Sequence, residues 1–267
     1  MINMNSEITD IQLEKLEGFI GYGRADAKII FIGIEEGGGG FDNLKRRINE
    51  ENYVYLDCKE FHLKDDDKHL SNEKKHKLHS NDENAAVKFQ SVWRFMSYLM
   101  LRLEGVEVER IMANNKQLLR EYQNNSLGTV NENGKTLLTE LYPIPCKSFN
   151  TWGKGKDSYT QIIPQYKSKE EYKRSVLPKR KKIFEDLIKS DSFSASAIIC
   201  YGKGNWMEFE KFFALFGVQF ENINTSKECK MGLLNNNVKV FLTPFFGNGQ
   251  MNYETLEEIT KEILREK

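Results

Sequence analysis

The feature that most constrains the fold is a short apolar segment that ends abruptly in acidic residues and glycines. Lys28 to Ile34 read Lys-Ile-Ile-Phe-Ile-Gly-Ile, and Glu35, Glu36 and four glycines follow. A run of this length, rich in Ile and Phe, is typical of a buried strand in a parallel sheet. Ligands of open α/β sheets bind just beyond the carboxyl ends of the strands. The segment therefore predicts either a ligand site at Glu35 and Glu36 or an ordinary glycine-rich turn with solvated carboxylates.

Strand-length apolar runs alternate with segments of helical periodicity along the rest of the chain. Further strands are predicted at Thr136–Leu141, Ala195–Tyr201 and Val238–Leu242. The predicted helices are Ile8–Glu17, Ala85–Leu103, Lys116–Tyr122, Glu170–Lys189 on either side of Pro178, Trp206–Phe216 and Tyr253–Glu266. Strands separated by helices need crossover connections, so the pattern indicates an α/β fold with a parallel sheet.

Length and charge limit the class of protein. A chain of 267 residues with 39 basic and 39 acidic side chains is not basic overall, although a local basic patch is still compatible with this balance. We expect one domain over 1–267, with a polar insertion at about 41–83 that is part helix and part loop. No apolar run approaches the ~20 residues of a membrane helix, and the first residues lack the regions of a signal peptide. We therefore expect a cytoplasmic monomer without membrane contact.

Metal-binding patterns are weak in this chain. The four cysteines are scattered without a Cys-x-x-Cys pair, which argues against a zinc knuckle and for reduced structural thiols. All four histidines, His62, His69, His76 and His79, fall in the polar insertion, and no carboxylate pattern completes a metal site there. We expect neither a metal nor a cofactor.

A family resemblance rests on four segments in order. Residues 21–37 contain Gly-x-Gly-x-x-x-Ala-Lys followed by the strand and Gly33-Ile-Glu-Glu-Gly37. This resembles the first motif of the uracil-DNA glycosylase superfamily, whose strand ends in a short catalytic loop. Residues 138–145, 197–203 and 241–250 are similar to the family's later strands and loops, outside the polar insertion.

The resemblance implies a three-layer α/β/α fold with a short central parallel sheet, and a monofunctional DNA glycosylase that flips a base out of double-stranded DNA. Glu35 falls where the family has its water-positioning Asp or Asn, and Glu36 replaces the usual Pro. A carboxylate there suits hydrolysis of an N-glycosidic bond through an oxocarbenium-like transition state. Both are candidate catalytic residues, and Glu35 is favoured.

The resemblance also implies a base pocket. Gly37 stands where uracil-specific members carry a Tyr that excludes a 5-methyl group, and Glu140 stands at or next to the base-reading Asn. A carboxylate accepts from an amine such as cytosine N4, so we expect a cytosine-like base that is bulky at C5. Alternatively, Glu140 is a surface residue at a strand end. The full set of expected substrate contacts is Gly33, Ile34, Gly37, Gly38, Glu140, Tyr142, Thr243, Phe245 and Asn248.

Thr243-Pro-Phe245 lacks the family's His, which stabilises the departing base, so stabilisation of the leaving group is weaker or comes from elsewhere.

The expected DNA contacts lie in the loop before the last helix and in basic segments of the chain. Met251 is a candidate apolar wedge for the space left by a flipped base, or simply opens the last helix. Basic clusters suit phosphate contacts or form a solvated face. The expected DNA-binding residues are Arg180, Lys203, Gly249, Gln250 and Met251.

Four functions stay open at this point. The favoured one is release of a modified cytosine, for example glucosylated hydroxymethylcytosine in phage DNA, as branches of the family used in antiviral defence do. A repair enzyme for uracil or another deaminated base is the first alternative. A catalytically inactive DNA-binding module of the same fold is the second, and hydrolysis of free nucleosides or nucleotide sugars is the third.

Overall fold

The computed structural model describes residues 7–37, 40–65, 90–109, 112–146, 152, 158–235 and 237–265. The strands are β1 Gly21–Gly23, β2 Ile29–Glu35, β3 Tyr55–Leu56, β4 Thr136–Tyr142, β5 Ala197–Tyr201, β6 Glu221–Ile223, β7 Cys229–Leu234 and β8 Val238–Thr243. The helices are α1 Asp10–Gly18, α2 Phe41–Asn49, α3 Cys58–Asp65, α4 Ser91–Leu103, α5 Met112–Asn125, α6 Tyr159–Ile162, α7 Lys169–Lys189, α8 Trp206–Ala214 and α9 Tyr253–Leu264. No helix in these ranges is long and apolar enough to cross a bilayer.

The strands form one sheet in the order β3-β1-β4-β2-β5-β8-β7-β6. Strand β5 pairs with β8 in parallel, whereas β7 is antiparallel to both β8 and β6. The α/β class is confirmed, and the sheet is mixed because this edge is antiparallel. The expected short central parallel sheet stays a prediction. The short link between β7 and β8, which includes Asn235 at φ +51°, turns the chain straight back and leaves no room for a crossover.

Strand β2 lies between β4 and β5 in this strand order. Lys28, just before β2, donates its N–H to the carbonyl of Lys135, just before β4, at 2.9 Å. On the other side, the N–H of Ser196, just before β5, bonds to the carbonyl of Lys28 at 2.9 Å. Both neighbours therefore begin beside the start of β2. The chain goes first to one side of β2 and then to the other, which makes the carboxyl end of β2 a topological switch point.

The helix predicted on either side of Pro178 is confirmed, and α7 runs unbroken through this proline. The polar insertion begins with α2, β3 and α3, and its residues 66–83 lie outside the described ranges together with His69, His76 and His79.

The chain divides into two compact units. One unit takes the described residues of Met1–Gly21, Ile32–Tyr55 and Thr139–Phe193, and the other takes those of Tyr22–Phe31, Leu56–Leu138 and Ser194–Lys267. We call them the carboxylate unit, which contains Glu35 and Glu36, and the carboxy-terminal unit. In the latter, Phe246 is fully buried and meets Phe31 and Phe95 edge-on, with ring centroids 6.2 and 6.4 Å away.

Candidate functional site

The carboxylate of Glu35, the last residue of β2, is held by a lysine from a distant part of the chain. Lys169 Nζ lies 2.5 Å from Glu35 Oε1, and the two side chains are only 13% and 18% exposed. Glu35 Oε2 is buried and has no hydrogen-bond partner among the described residues. One carboxylate oxygen is thus occupied and the other is a vacant acceptor.

Lys169 is the first residue of α7, where a cation is unfavourable by about 0.3–1 kcal/mol because the helix amides leave that end positive. The rest of the turn is conventional: the Ser168 hydroxyl accepts from the Glu171 N–H at 3.1 Å. Burial acts to lower the pKa of Lys169, but the hydrogen bond to Glu35 and its charge outweigh burial and raise that pKa. The lysine is therefore a cation at neutral pH. The sequence analysis did not predict the contact between Lys169 and Glu35. The signal for it in the sequence is a single cation in a first helical turn that is otherwise acidic.

Glu36 is committed to a different partner. Its Oε2 lies 2.7 Å from Nη2 of Arg47, a side chain that is 3% exposed, and Arg47 Nε also donates to Asn43 Oδ1 at 3.1 Å. The Glu36 carbonyl accepts from the Cys146 N–H at 2.8 Å. These contacts connect the loop after β2 to α2 and to the loop after β4, so Glu36 organises the backbone around Glu35.

Two buried tyrosines fix the same loops. The Tyr159 hydroxyl accepts from the Gly40 N–H at 2.9 Å and donates to the Pro145 carbonyl at 2.6 Å. The Tyr172 hydroxyl accepts from the Ile144 N–H at 2.9 Å. Burial raises the pKa of Tyr159 to about 12 and that of Tyr172 well above its usual value, so both stay neutral. These hydrogen bonds therefore fix the backbone that follows β2, at Gly40, and the backbone that follows β4, at Ile144 and Pro145.

The other expected base-pocket residues of this unit lie along β2 and β4. Gly33 is buried and Ile34 is half-buried. Gly37 is exposed, and no heavy atom of the described residues lies within 4 Å of the position a Cβ would take there. Tyr142 is 4% exposed, with Lys173 Nζ 4.7 Å from its ring centre. Gly38 lies outside the described residues.

Arg180 is a core residue, so the prediction that it contacts DNA is wrong. It is 0% exposed, and its guanidinium donates to the carbonyls of Phe19 at 2.7 Å and Glu140 at 2.8 Å and to Thr139 Oγ1 at 3.2 Å. Burial lowers the pKa of Arg180 to about 10, and the nearby Tyr172 and Glu140 oppose that shift. The signal was the inward face of α7, which comprises Tyr172, Val176, Arg180, Phe184 and Leu187.

The lysines beside Arg180 each have an acidic partner. Lys179 pairs with the buried Glu17. Lys181 pairs with Glu185 at 2.9 Å, and Lys182 pairs with Asp186 at 2.7 Å, both across one turn of α7. Exposed pairs of this kind contribute less than about 1 kcal/mol, so phosphate can replace the acidic partner of Lys181 or Lys182 at little cost.

The loop after β8 is described with the carboxy-terminal unit. Thr243 is fully buried, and its hydroxyl donates to the Pro244 carbonyl at 3.1 Å. Met251 is 4% exposed. Neither side chain reaches the surface in the structure, so the substrate contact by Thr243 and the wedge at Met251 stay predictions that the burial of these residues does not favour. The exposed residues of the loop are Asn248, Gly249 and Gln250.

Two other predicted residues of this unit are partly accessible. Phe245 is half-buried, with its ring centroid 6.2 Å from that of Tyr201. Lys203 is exposed and pairs with the exposed Glu228 at 2.5 Å. An exposed pair exchanges easily for a phosphate, so Lys203 stays a predicted DNA contact.

Within the described ranges, no three His, Cys, Asp or Glu side chains are grouped closely enough to hold a metal ion. Comparison with protein-family models, with curated proteins and with solved structures found no significant match.

Proposed function

We propose that this protein is a monofunctional DNA glycosylase that hydrolyses the N-glycosidic bond of a flipped base with Glu35. The observation that carries the proposal is the buried Oε2 of Glu35 at the carboxyl end of β2, which has no hydrogen-bond partner among the described residues. A carboxylate in this state accepts a proton from water and stabilises positive charge that develops on a sugar. An oxocarbenium-like transition state requires both activation of the water and stabilisation of the positive charge on the sugar.

The surroundings of the two carboxylates favour Glu35 over Glu36 as the catalytic one. Glu36 compensates the charge of Arg47, whose guanidinium is almost completely buried. Moving Glu36 onto a water would leave that cation without its partner, which is costly inside a protein. Glu35 needs no such rearrangement, because its second oxygen is already vacant.

A modified cytosine is the proposed substrate class. At the Cβ position of Gly37 no described residue other than its chain neighbours comes within 4 Å, which favours room beside a pyrimidine C5 edge for a large substituent such as a glucosylated hydroxymethyl group. Glu140 is the proposed acceptor for the cytosine amine, and its carboxylate also compensates Arg180. Excision of such bases from phage DNA would make the protein an antiviral glycosylase.

A second candidate function is hydrolysis of free nucleosides or nucleotide sugars by the same carboxylate. The observation that favours it is the placement of the expected DNA contacts, since Arg180 and Met251 are buried. A small substrate would need Glu35 but no phosphate-binding surface.

The test is detection of abasic sites by alkaline cleavage in DNA duplexes and single strands. The panel holds uracil, hydroxymethylcytosine and glucosylated hydroxymethylcytosine, together with modified phage DNA, and the matching free nucleosides are assayed for sugar release. Wild type is compared with Glu35→Gln, which keeps the volume of the side chain, and with Glu36→Gln as the matched control.

We expect abasic sites on glucosylated or hydroxymethylated DNA, about 10²–10⁴-fold fewer with Glu35→Gln, and retained activity with Glu36→Gln. Activity on uracil alone would refute the substrate class. Sugar release from free nucleosides without abasic sites in DNA would favour the second candidate. Binding to modified DNA without any product would indicate an inactive binding module.

A further inference from the structure

We propose that Lys169 is a positioning residue for Glu35, a role that rests on the glycosylase function proposed above. In this role the ammonium holds Glu35 Oε1 and fixes the orientation of the carboxylate, so that Oε2 is left to accept the water. Lys169 itself neither attacks the sugar nor gives up a proton.

Geometry supports a fixed rather than a mobile pair. The Nζ–Oε1 distance is 2.5 Å, and both side chains are more than four-fifths buried, at 13% and 18% exposure. Lys169 Nζ is also 3.7 Å from Cys146 Sγ. Because Cys146 donates its N–H to the Glu36 carbonyl, the lysine packs against the same loop that Glu36 anchors.

The position of Lys169 in α7 indicates that the pair has a purpose beyond the helix. Lys181 and Lys182 bond within the helix, whereas Lys169 reaches a residue 134 positions away in the sequence. A cation at the first helical position opposes the helix dipole. The helix alone would favour an acidic or neutral residue there, so the feature that suits Lys169 to this position is the carboxylate of Glu35.

Lys169 keeps its proton throughout the reaction step. Water oxygen bonds to C1′ of the sugar as the C1′–N bond breaks, and that bonding pair leaves with the base. The water proton moves to Glu35 Oε2, while Lys169 remains hydrogen-bonded to Oε1. A fixed carboxylate avoids reorganisation at the moment of reaction, which is how preorganised groups accelerate chemistry.

The activity test compares single-turnover base release by wild type, Lys169→Met, Lys169→Arg and a control at an exposed lysine of α8, Lys211→Met. We expect Lys169→Met to lose about 10²-fold in rate, because the carboxylate is no longer held in place. Lys169→Arg should recover most of the rate, since it keeps the charge, and Lys211→Met should match wild type.

Two results would overturn the positioning role. One is a Lys169→Met rate within about threefold of wild type, which is far below the effect of a lost preorganised group. The other is covalent trapping of Lys169 on DNA by borohydride, because a Schiff base would make the amine a nucleophile.

A substrate-free measurement separates failure of this role from failure of the function. Acetylation by acetic anhydride, followed residue by residue with mass spectrometry, reports the neutral amine of each lysine. Glu35→Gln should accelerate acetylation of Lys169, because removing the charge of Glu35 lowers the pKa of the lysine, and should leave Lys182 unchanged. If wild type releases base but Glu35→Gln leaves the acetylation rate of Lys169 unchanged, the pairing of Lys169 with Glu35 would be overturned and the proposed function would stand. A wild type that releases no base would overturn the proposed function and this role with it.

Discussion

Replacement of Arg180 by Met should destabilise the protein strongly, because the guanidinium is part of the core. The change removes donors to three acceptors, the carbonyls of Phe19 and Glu140 and the hydroxyl of Thr139. A hydrogen bond to a charged group contributes about 1.5–3 kcal/mol, but the buried cation also has a desolvation cost that Met avoids. Since the Glu140 carboxylate would lose its countercharge, we expect a net loss of about 3–5 kcal/mol in the free energy of unfolding.

Urea unfolding and thermal melts followed by circular dichroism measure this loss. The expected change corresponds to a melting temperature lower by about 6–20 °C, at about 2–4 °C per kcal/mol for a chain of this size. Lys182→Met is the control from the exposed face of α7 and should stay within about 0.5 kcal/mol of wild type. A stable Arg180→Met variant with weakened DNA binding would refute the core assignment and restore Arg180 as a phosphate contact.

Three further substitutions test the site. Tyr159→Phe should cost about 1–3 kcal/mol, because the Gly40 N–H and Pro145 carbonyl lose their partner. This loss of unfolding free energy relative to wild type should be constant below about pH 10 and should vanish as pH rises through the raised pKa of Tyr159, about 12. Equal losses at about pH 8 and about pH 12, measured by urea unfolding, would contradict this expectation. Glu36→Gln should lower stability by about 1–3 kcal/mol through Arg47 yet keep base release within about tenfold; in paired melts and rate assays, loss of turnover without loss of stability would reverse the roles of the two carboxylates. Gly37→Tyr should melt like wild type, since space surrounds Gly37, but lose activity selectively on bases bulky at C5; equal rates on substituted and plain cytosine would remove the argument for substrate class.

The main strands could be predicted from sequence because each is a compact apolar run. Strand β2 was expected over Lys28–Ile34 and lies at Ile29–Glu35, and β8 was expected over Val238–Leu242 and lies at Val238–Thr243. The antiparallel edge was missed because β6 is short and polar and β7 mixes Lys and Gly with apolar residues. Strands held mainly by pairing with a neighbour leave little signal in their own composition.

The candidate site could be predicted only in part. Local sequence was sufficient to mark Glu35, because a strand followed at once by carboxylates and glycines is a local pattern. Lys169 carried only a weak local signal, a cation in an acidic first turn, and its role depends on a contact with Glu35 across 134 positions. Arg180 was misjudged for a related reason: a run of four basic residues suggests a surface, whereas the helical period places one of them inside.

The central claim is that Glu35 activates the water that hydrolyses the glycosidic bond. The most direct measurement is single-turnover release of free base from DNA that carries glucosylated hydroxymethylcytosine, quantified by mass spectrometry for wild type, Glu35→Gln and Glu36→Gln. The account predicts base release by wild type and Glu36→Gln, and a rate at least about 10²-fold lower for Glu35→Gln. Equal rates for wild type and Glu35→Gln would contradict it.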